Sequence, residues 1–207
     1  MPGSEMWLIR RHLERKYKFD GQIFSYPSVS GTLDENASRL ADFVIGTGAA
    51  NVHIVGHSLG GVVALRALAT SANMPPGRVV CLGAPLTGSR AAQHLNERDW
   101  GKAILGHSLQ EGVIDDAASQ WAGDVLGQRD VGVIAGTLSV GLGKLFATFD
   151  SDNDGTVAVS ETRLTGLRDH ICMPSNHTGL VFSKQVADQT AAFLKRGEFL
   201  REEKLSI

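Results

Sequence analysis

Residues 51–68 read NVHIVGHSLGGVVALRAL, and the fold turns on the switch inside this stretch. Val52, Ile54 and Val55 form a β-branched run that stops at Gly56, after which Leu59, Val62, Val63 and Leu65 take up helical spacing. A strand that turns sharply into a helix around Gly-x-Ser-x-Gly holds its serine in strained geometry, with the hydroxyl lifted above the carboxyl end of a sheet. Gly56 and Gly60, two places either side, are expected to let strand and helix approach each other closely. Ser58 is therefore the candidate nucleophile, His57 belongs to the same elbow, and the N–H of Leu59 points to where an oxyanion would form. The bare motif carries little weight in a chain with 24 glycines; the strand before it and the helix after it supply the weight. A partial echo at 105–109, LGHSL, has no β-branched strand ahead of it and no second glycine, so Ser108 reads as a surface serine.

Outward from this switch, strand-like runs alternate with helical spacing. GQIFSYPSV precedes the helix-spaced TLDENASRLADFVIG, and GRVVCLGAP follows the elbow helix. DVGVIAG and HICMP read as later strands, and SKQVADQTAAFLKRGEFL as a closing helix with Val186, Ala187, Ala191, Phe193 and Leu194 on its buried face. Such alternation predicts an α/β fold, a mostly parallel sheet flanked by helices. The whole chain, 1–207, reads as a single domain. Between about residues 86 and 128 the strand signal disappears into polar, helix-prone sequence, expected to form a small helical cap over one end of the sheet.

A nucleophilic serine needs a base, and the base needs a carboxylate to orient it. Asp154, in the turn-forming NDGTV, and His177, in the loop PSNHTGL after the last strand, follow Ser58 in the order serine, acid, histidine. Both are expected at the end of the sheet that carries Ser58. The segment 149–161, FDSDNDGTVAVSE, supports a rival reading. Asp150, Asp152, Asp154, Gly155 and Glu161 match positions 1, 3, 5, 6 and 12 of a calcium-binding EF-hand loop. That reading is disfavoured by the single loop and by the glycine-rich approach GTLSVGLGKLFATF, yet it stays open as an auxiliary calcium site. Among the seven histidines, His170 competes with His177 as base, although a strand residue is less free to reach over Ser58. His57 is expected to serve packing or a supporting hydrogen bond.

Twenty basic against 22 acidic residues give a net charge of -2, and neither nucleic acid nor anionic lipid is expected as a partner. No apolar run approaches the roughly 18 residues of a membrane span, and no secretory pattern opens the chain, so a cytoplasmic location is expected. Cys81 and Cys172 lie in strand-like runs and are expected to be buried free thiols.

GHSLGG, NDGTV and NHTGL together resemble the bacterial serine esterases and lipases of the α/β-hydrolase superfamily, over nearly the whole chain. The resemblance implies that Ser58, Asp154 and His177 form a triad, that Leu59 supplies an oxyanion donor, and that small carboxylic esters are substrates without metal or cofactor. Members of the family open with an apolar strand ending in a His-Gly pair, which supplies the second oxyanion N–H before a helix like SEMWLIRRHLERKY. That strand has no counterpart here ahead of the helix-like segment, which leaves a gap expected between strands at 22–26 and 51–55. Strand swapping or a homodimer is the expected way to close the exposed edges.

Overall fold

The computed structural model describes residues 4–88, 118–139 and 152–201. Among the described residues four strands, β1 (Ile54–His57), β2 (Val79–Leu82), β3 (Val131–Gly136) and β4 (Asp169–Met173), form one sheet in the order β1-β2-β3-β4. Every neighbouring pair is parallel. Six helices lie among the described residues: α1 (Trp7–Tyr17) and α2 (Leu33–Gly46) ahead of β1, α3 (Leu59–Thr70) between β1 and β2, α4 (Gly123–Gln128) between β2 and β3, and α5 (Gly179–Phe182) and α6 (Lys184–Arg196) after β4.

Strand periodicity divides the core into two halves. In β2, Val79 and Cys81 join the α2–α3 side of the sheet, while Val80 and Leu82 join the α1–α6 side. Both faces are buried, which is why the parallel strands read as continuous apolar runs. Phe193 of α6 packs flat on Gly132 of β3, where a Cβ would lie 2.6 Å from the phenyl ring. Helix α2 starts on a reciprocal cap: Glu35 N–H donates to the Thr32 hydroxyl at 3.1 Å, and Thr32 N–H donates to the Glu35 carboxylate at 3.0 Å.

Three sequence expectations are corrected. Residues 22–26 form no strand. A ladder needs a neighbour about 4.8 Å away, and here a cleft of about 430 Å³, lined by Ile9, Phe24 and Phe43 among others, separates this run from β1. Among the described residues strand β1 is consequently an edge: Ile54 and Ser58 N–H groups donate across to Arg78 and Leu82, each at 2.9 Å. The alternate residues His53, Val55 and His57 turn their backbone groups toward the cleft. The closing helix ends at Arg196 rather than continuing to residue 200, because Gly197 adopts a left-handed φ of 80° and caps it. Cys172 is exposed, whereas Cys81 is buried; Cys172 lies on β4, the other edge of the sheet, and an edge strand is covered less completely.

Of the expected cap, residues 89–117 lie outside the described residues. The remainder, from Ala118 through α4, packs into the α2–α3 half of the core through Ala118, Ala122 and Val125. Among the described residues no helix is long and apolar enough to cross a membrane.

Candidate active site

Ser58 stands at the junction of β1 and α3 with φ 53° and ψ -127°, a region that non-glycine residues avoid. Its backbone is pinned from both sides: Ser58 N–H donates to Leu82 O at 2.9 Å, and Gly61 N–H donates to Ser58 O at 3.0 Å. Leu59 is the first residue of α3, so its N–H belongs to the first helical turn, whose donors have no intrahelical acceptor.

The glycines around the elbow divide the work differently from the sequence expectation. A Cβ on Gly56 would fall 2.5 Å from Gly60 O, so this position tolerates no side chain. At Gly60 itself a Cβ would meet only the Tyr26 hydroxyl, at 3.8 Å. The crowded helix position is Gly61, where a Cβ would stand 2.7 Å from Ala84 Cβ and 3.1 Å from Cys81 Sγ. Close packing of α3 on the sheet thus depends on Gly56 and Gly61.

Asp154 and His177 meet although 23 residues separate them: His177 Nδ1 lies 2.7 Å from Asp154 Oδ2. The other carboxylate oxygen, Oδ1, accepts from the backbone N–H groups of Thr156 at 2.9 Å and Val157 at 2.7 Å. Those two bonds fix the carboxylate plane and aim Oδ2 at the ring. The backbones are tied as well, His177 N–H donating to Asp154 O at 2.8 Å. Asp154 is 1% exposed, so the pair is shielded from competing water. The tight turn that allows this uses Gly155 at φ 91°.

His57 supports the arrangement from the elbow. Its ring lies 4.7 Å from the His177 ring, and its Nε2 lies 3.1 Å from His177 O. Burial, followed by repulsion from His177, lowers its pKa to about 4, so the ring is neutral near pH 7. A neutral ring bonded to a carbonyl carries its proton on Nε2, which leaves Nδ1 as a buried acceptor without a partner among the described residues. His57 therefore holds the backbone of the histidine that faces Asp154. His170 is directed elsewhere: its Nε2 lies 2.9 Å from the Thr162 hydroxyl, and burial lowers its pKa to about 4. Ser58 Oγ makes no hydrogen bond to His177 among the described residues; in unliganded enzymes this contact is often long and tightens with substrate.

Gly83 was not singled out by the sequence. It follows β2 with φ 55°, and a Cβ there would lie 3.0 Å from Asp154 Oδ2 and 3.2 Å from His177 Nδ1. A glycine directly after a β-branched run was the available signal, but the two residues it faces come from distant segments.

The EF-hand ligand set does not assemble among the described residues. Both Asp154 oxygens are occupied by protein donors, and Glu161 Oε2 accepts from Ala158 N–H at 2.8 Å. Asp152 is exposed, and Asp150 lies outside the described residues. No group of three His, Cys, Asp or Glu side chains among the described residues is placed to hold a metal ion.

A strained serine between strand and helix, followed by a carboxylate–histidine pair on loops beyond later strands of a parallel sheet, defines a class that family comparison identifies. The alpha/beta hydrolase family model matches residues 2–192, and the chain belongs to that family. Lipase BlEst2 from Bacillus licheniformis, in its mature form, is similar in structure with a TM-score of 0.69 and 18% identity, over 96% of this chain and 88% of that one. The product of gene lin2722 from Listeria innocua aligns with a TM-score of 0.59 and 16% identity, over 98% and 92% of the two chains. The meta-cleavage product hydrolase CumD from Pseudomonas fluorescens aligns at 0.56 with 13% identity, over 95% and 86%. At these identities the likeness is one of fold. No curated protein sequence matches the chain.

Proposed function

We propose that this hydrolase-family protein is a serine carboxylester hydrolase that works through an acyl-enzyme, with Ser58 as nucleophile, His177 as base and Asp154 as its orienting carboxylate. The 2.7 Å contact between Asp154 Oδ2 and His177 Nδ1 carries this reading, because it leaves Nε2 of His177 as the nitrogen available to a substrate or hydroxyl. In the proposed cycle His177 Nε2 takes the Ser58 proton as Oγ bonds to the ester carbonyl carbon. Leu59 N–H stabilises the oxyanion, and Asp154 stabilises the imidazolium. When the carbonyl re-forms, the carbon–oxygen bond to the leaving group breaks and the departing alcohol takes the proton from His177. Water then repeats the sequence against the acyl-serine, releasing the acid and restoring the hydroxyl. The cycle needs no metal or organic cofactor.

Small esters of short to medium acyl length are the proposed substrates. Two free cysteines suit a reducing compartment, and the cytoplasm is the proposed location. A homodimer closed across the unpaired edge of β1 belongs to the same proposal. The test is hydrolysis of aryl acetates and butyrates by the parent and by Ser58→Ala. Turnover is expected to vanish in the variant, and an unchanged rate contradicts the assignment.

A further inference from the structure

A second concavity lies on the α1–α6 side, apart from the elbow and the Asp154–His177 pair. Helix α1 and the corner between α5 and α6 enclose a groove of about 280 Å³ whose lining includes Leu8, Phe182, Arg11, Arg15, Lys16 and Lys184. Among the described residues no acidic side chain lines it. Asp188, on the next turn of α6, is already engaged by Tyr17 at 2.8 Å and Lys16 at 3.0 Å, and lies 2.6 Å from His12 Nε2.

Around this basic groove stand large apolar side chains that the fold leaves in solvent: Trp7 is 41% exposed, Leu8 42% and Phe182 53%. Such residues cost free energy in water unless something covers them. The Arg11 guanidinium lies over the Trp7 ring, 4.8 Å from its centroid, so cation and aromatic present one combined surface. The positive end of the 13-residue helix α6 also faces this corner, since Ser183 caps it and Lys184 is its first residue.

We propose that this face docks on an anionic phospholipid bilayer. Trp7, Leu8 and Phe182 enter the interfacial region while Arg11, Arg15 and Lys184 engage the lipid phosphates. Charge decides against a second copy as the occupant, because a two-fold contact through this patch would oppose its cations to themselves. The overall charge of -2 concealed the patch: its cations come from α1 and from the start of α6, more than 160 residues apart in the chain. The expectation that no anionic lipid would be a partner rested on that average and on the lack of a basic block along the chain. Helix α5, which ends at Phe182, begins two residues after His177, so bilayer contact at this corner would lie close in the chain to the candidate base. The docking stands whether or not the protein hydrolyses esters.

The test is co-sedimentation of the purified protein with vesicles of phosphatidylcholine alone and with vesicles containing phosphatidylglycerol. Binding is expected only to the anionic vesicles, and it should weaken as salt is raised. Arg11→Gln, Arg15→Gln and Lys184→Gln should each lower the partition coefficient about fivefold. Phe182→Ser should lower it too while leaving its salt dependence unchanged. Circular dichroism and melting of each variant separate lost binding from lost fold. Equal binding to both vesicle types, no binding, or glutamine variants that bind like the parent would overturn the proposal. So would binding to soluble polyglutamate as tight as to vesicles and indifferent to Phe182→Ser, which would mark an acidic protein as the partner. A dimer that Phe182→Ser dissolves, without vesicle binding, would assign the face to a second copy.

Discussion

Gly83 faces His177 so closely that a Cβ on it would lie 3.2 Å from the ring nitrogen bonded to Asp154. With φ at 55°, the position also disfavours any side chain on backbone grounds. Gly83→Ala is expected to push the imidazole off Asp154 and to lower kcat/KM by about a hundredfold, since such misplacement is costly even when small. Steady-state kinetics on an aryl ester checks this, with a melt to show that the variant is folded. A variant with parent-like activity would remove Gly83 from the arrangement.

The elbow glycines give a contrast between neighbours. Gly60→Ala has room for its methyl and replaces glycine within a helix, so stability should hold or rise by up to about 1 kcal/mol. Gly61→Ala drives a methyl into Ala84 and Cys81, and should cost about 1–3 kcal/mol. Urea unfolding of the two variants measures the difference, and equal stabilities would mean that α3 rests on the sheet less tightly than described.

Two half-buried histidines contribute to the response to acid. His57 has its folded pKa lowered from 6.5 to about 4, and so has His170. Between those values the unfolded chain binds protons that the folded chain refuses, so stability rises with pH through this window and is lost as pH falls from 6.5 toward 4. Melting temperatures should fall across that range in the parent, and less steeply in His57→Gln. Identical slopes in the two proteins would remove His57 as a contributor.

The cleft beside β1 leaves three successive outward backbone sites, at His53, Val55 and His57, without a ladder partner among the described residues. At concentrations where the chain is monomeric, their amides should exchange with solvent much faster than that of Val80, in the middle of β2. Protection that appears at Val55 as protein concentration rises would mark the proposed homodimer across this edge, and slow exchange at high dilution would contradict an open edge.

How much of this was legible depended on whether a feature was local. The β-branched runs at 79–82 and 131–134 became strands, the run at 52–55 did so from Ile54 onward, and the helix-spaced segments from Thr32 and Ser183 became α2 and α6. The meeting of Asp154 with His177 was legible through chain order and turn chemistry. The run Ile23, Phe24, Tyr26 has strand-like residues but no partner, and strand propensity without a neighbour makes no ladder. Period-2 spacing placed Cys172 in a strand but could not say that the strand is an edge. Gly83, Gly61 and the basic groove were invisible for a common reason: each is defined by side chains from remote segments that only the packed fold brings together.

The most direct measurement is covalent labelling with an alkyl fluorophosphonate, in which Oγ of an activated serine displaces fluoride at phosphorus, followed by peptide mass spectrometry. Ser58 is expected to carry the phosphonyl group, with labelling at least about a hundredfold slower in His177→Ala, where the base is gone. Labelling at another serine, or at Ser58 with no dependence on His177, would contradict the assignment of these residues to one catalytic unit.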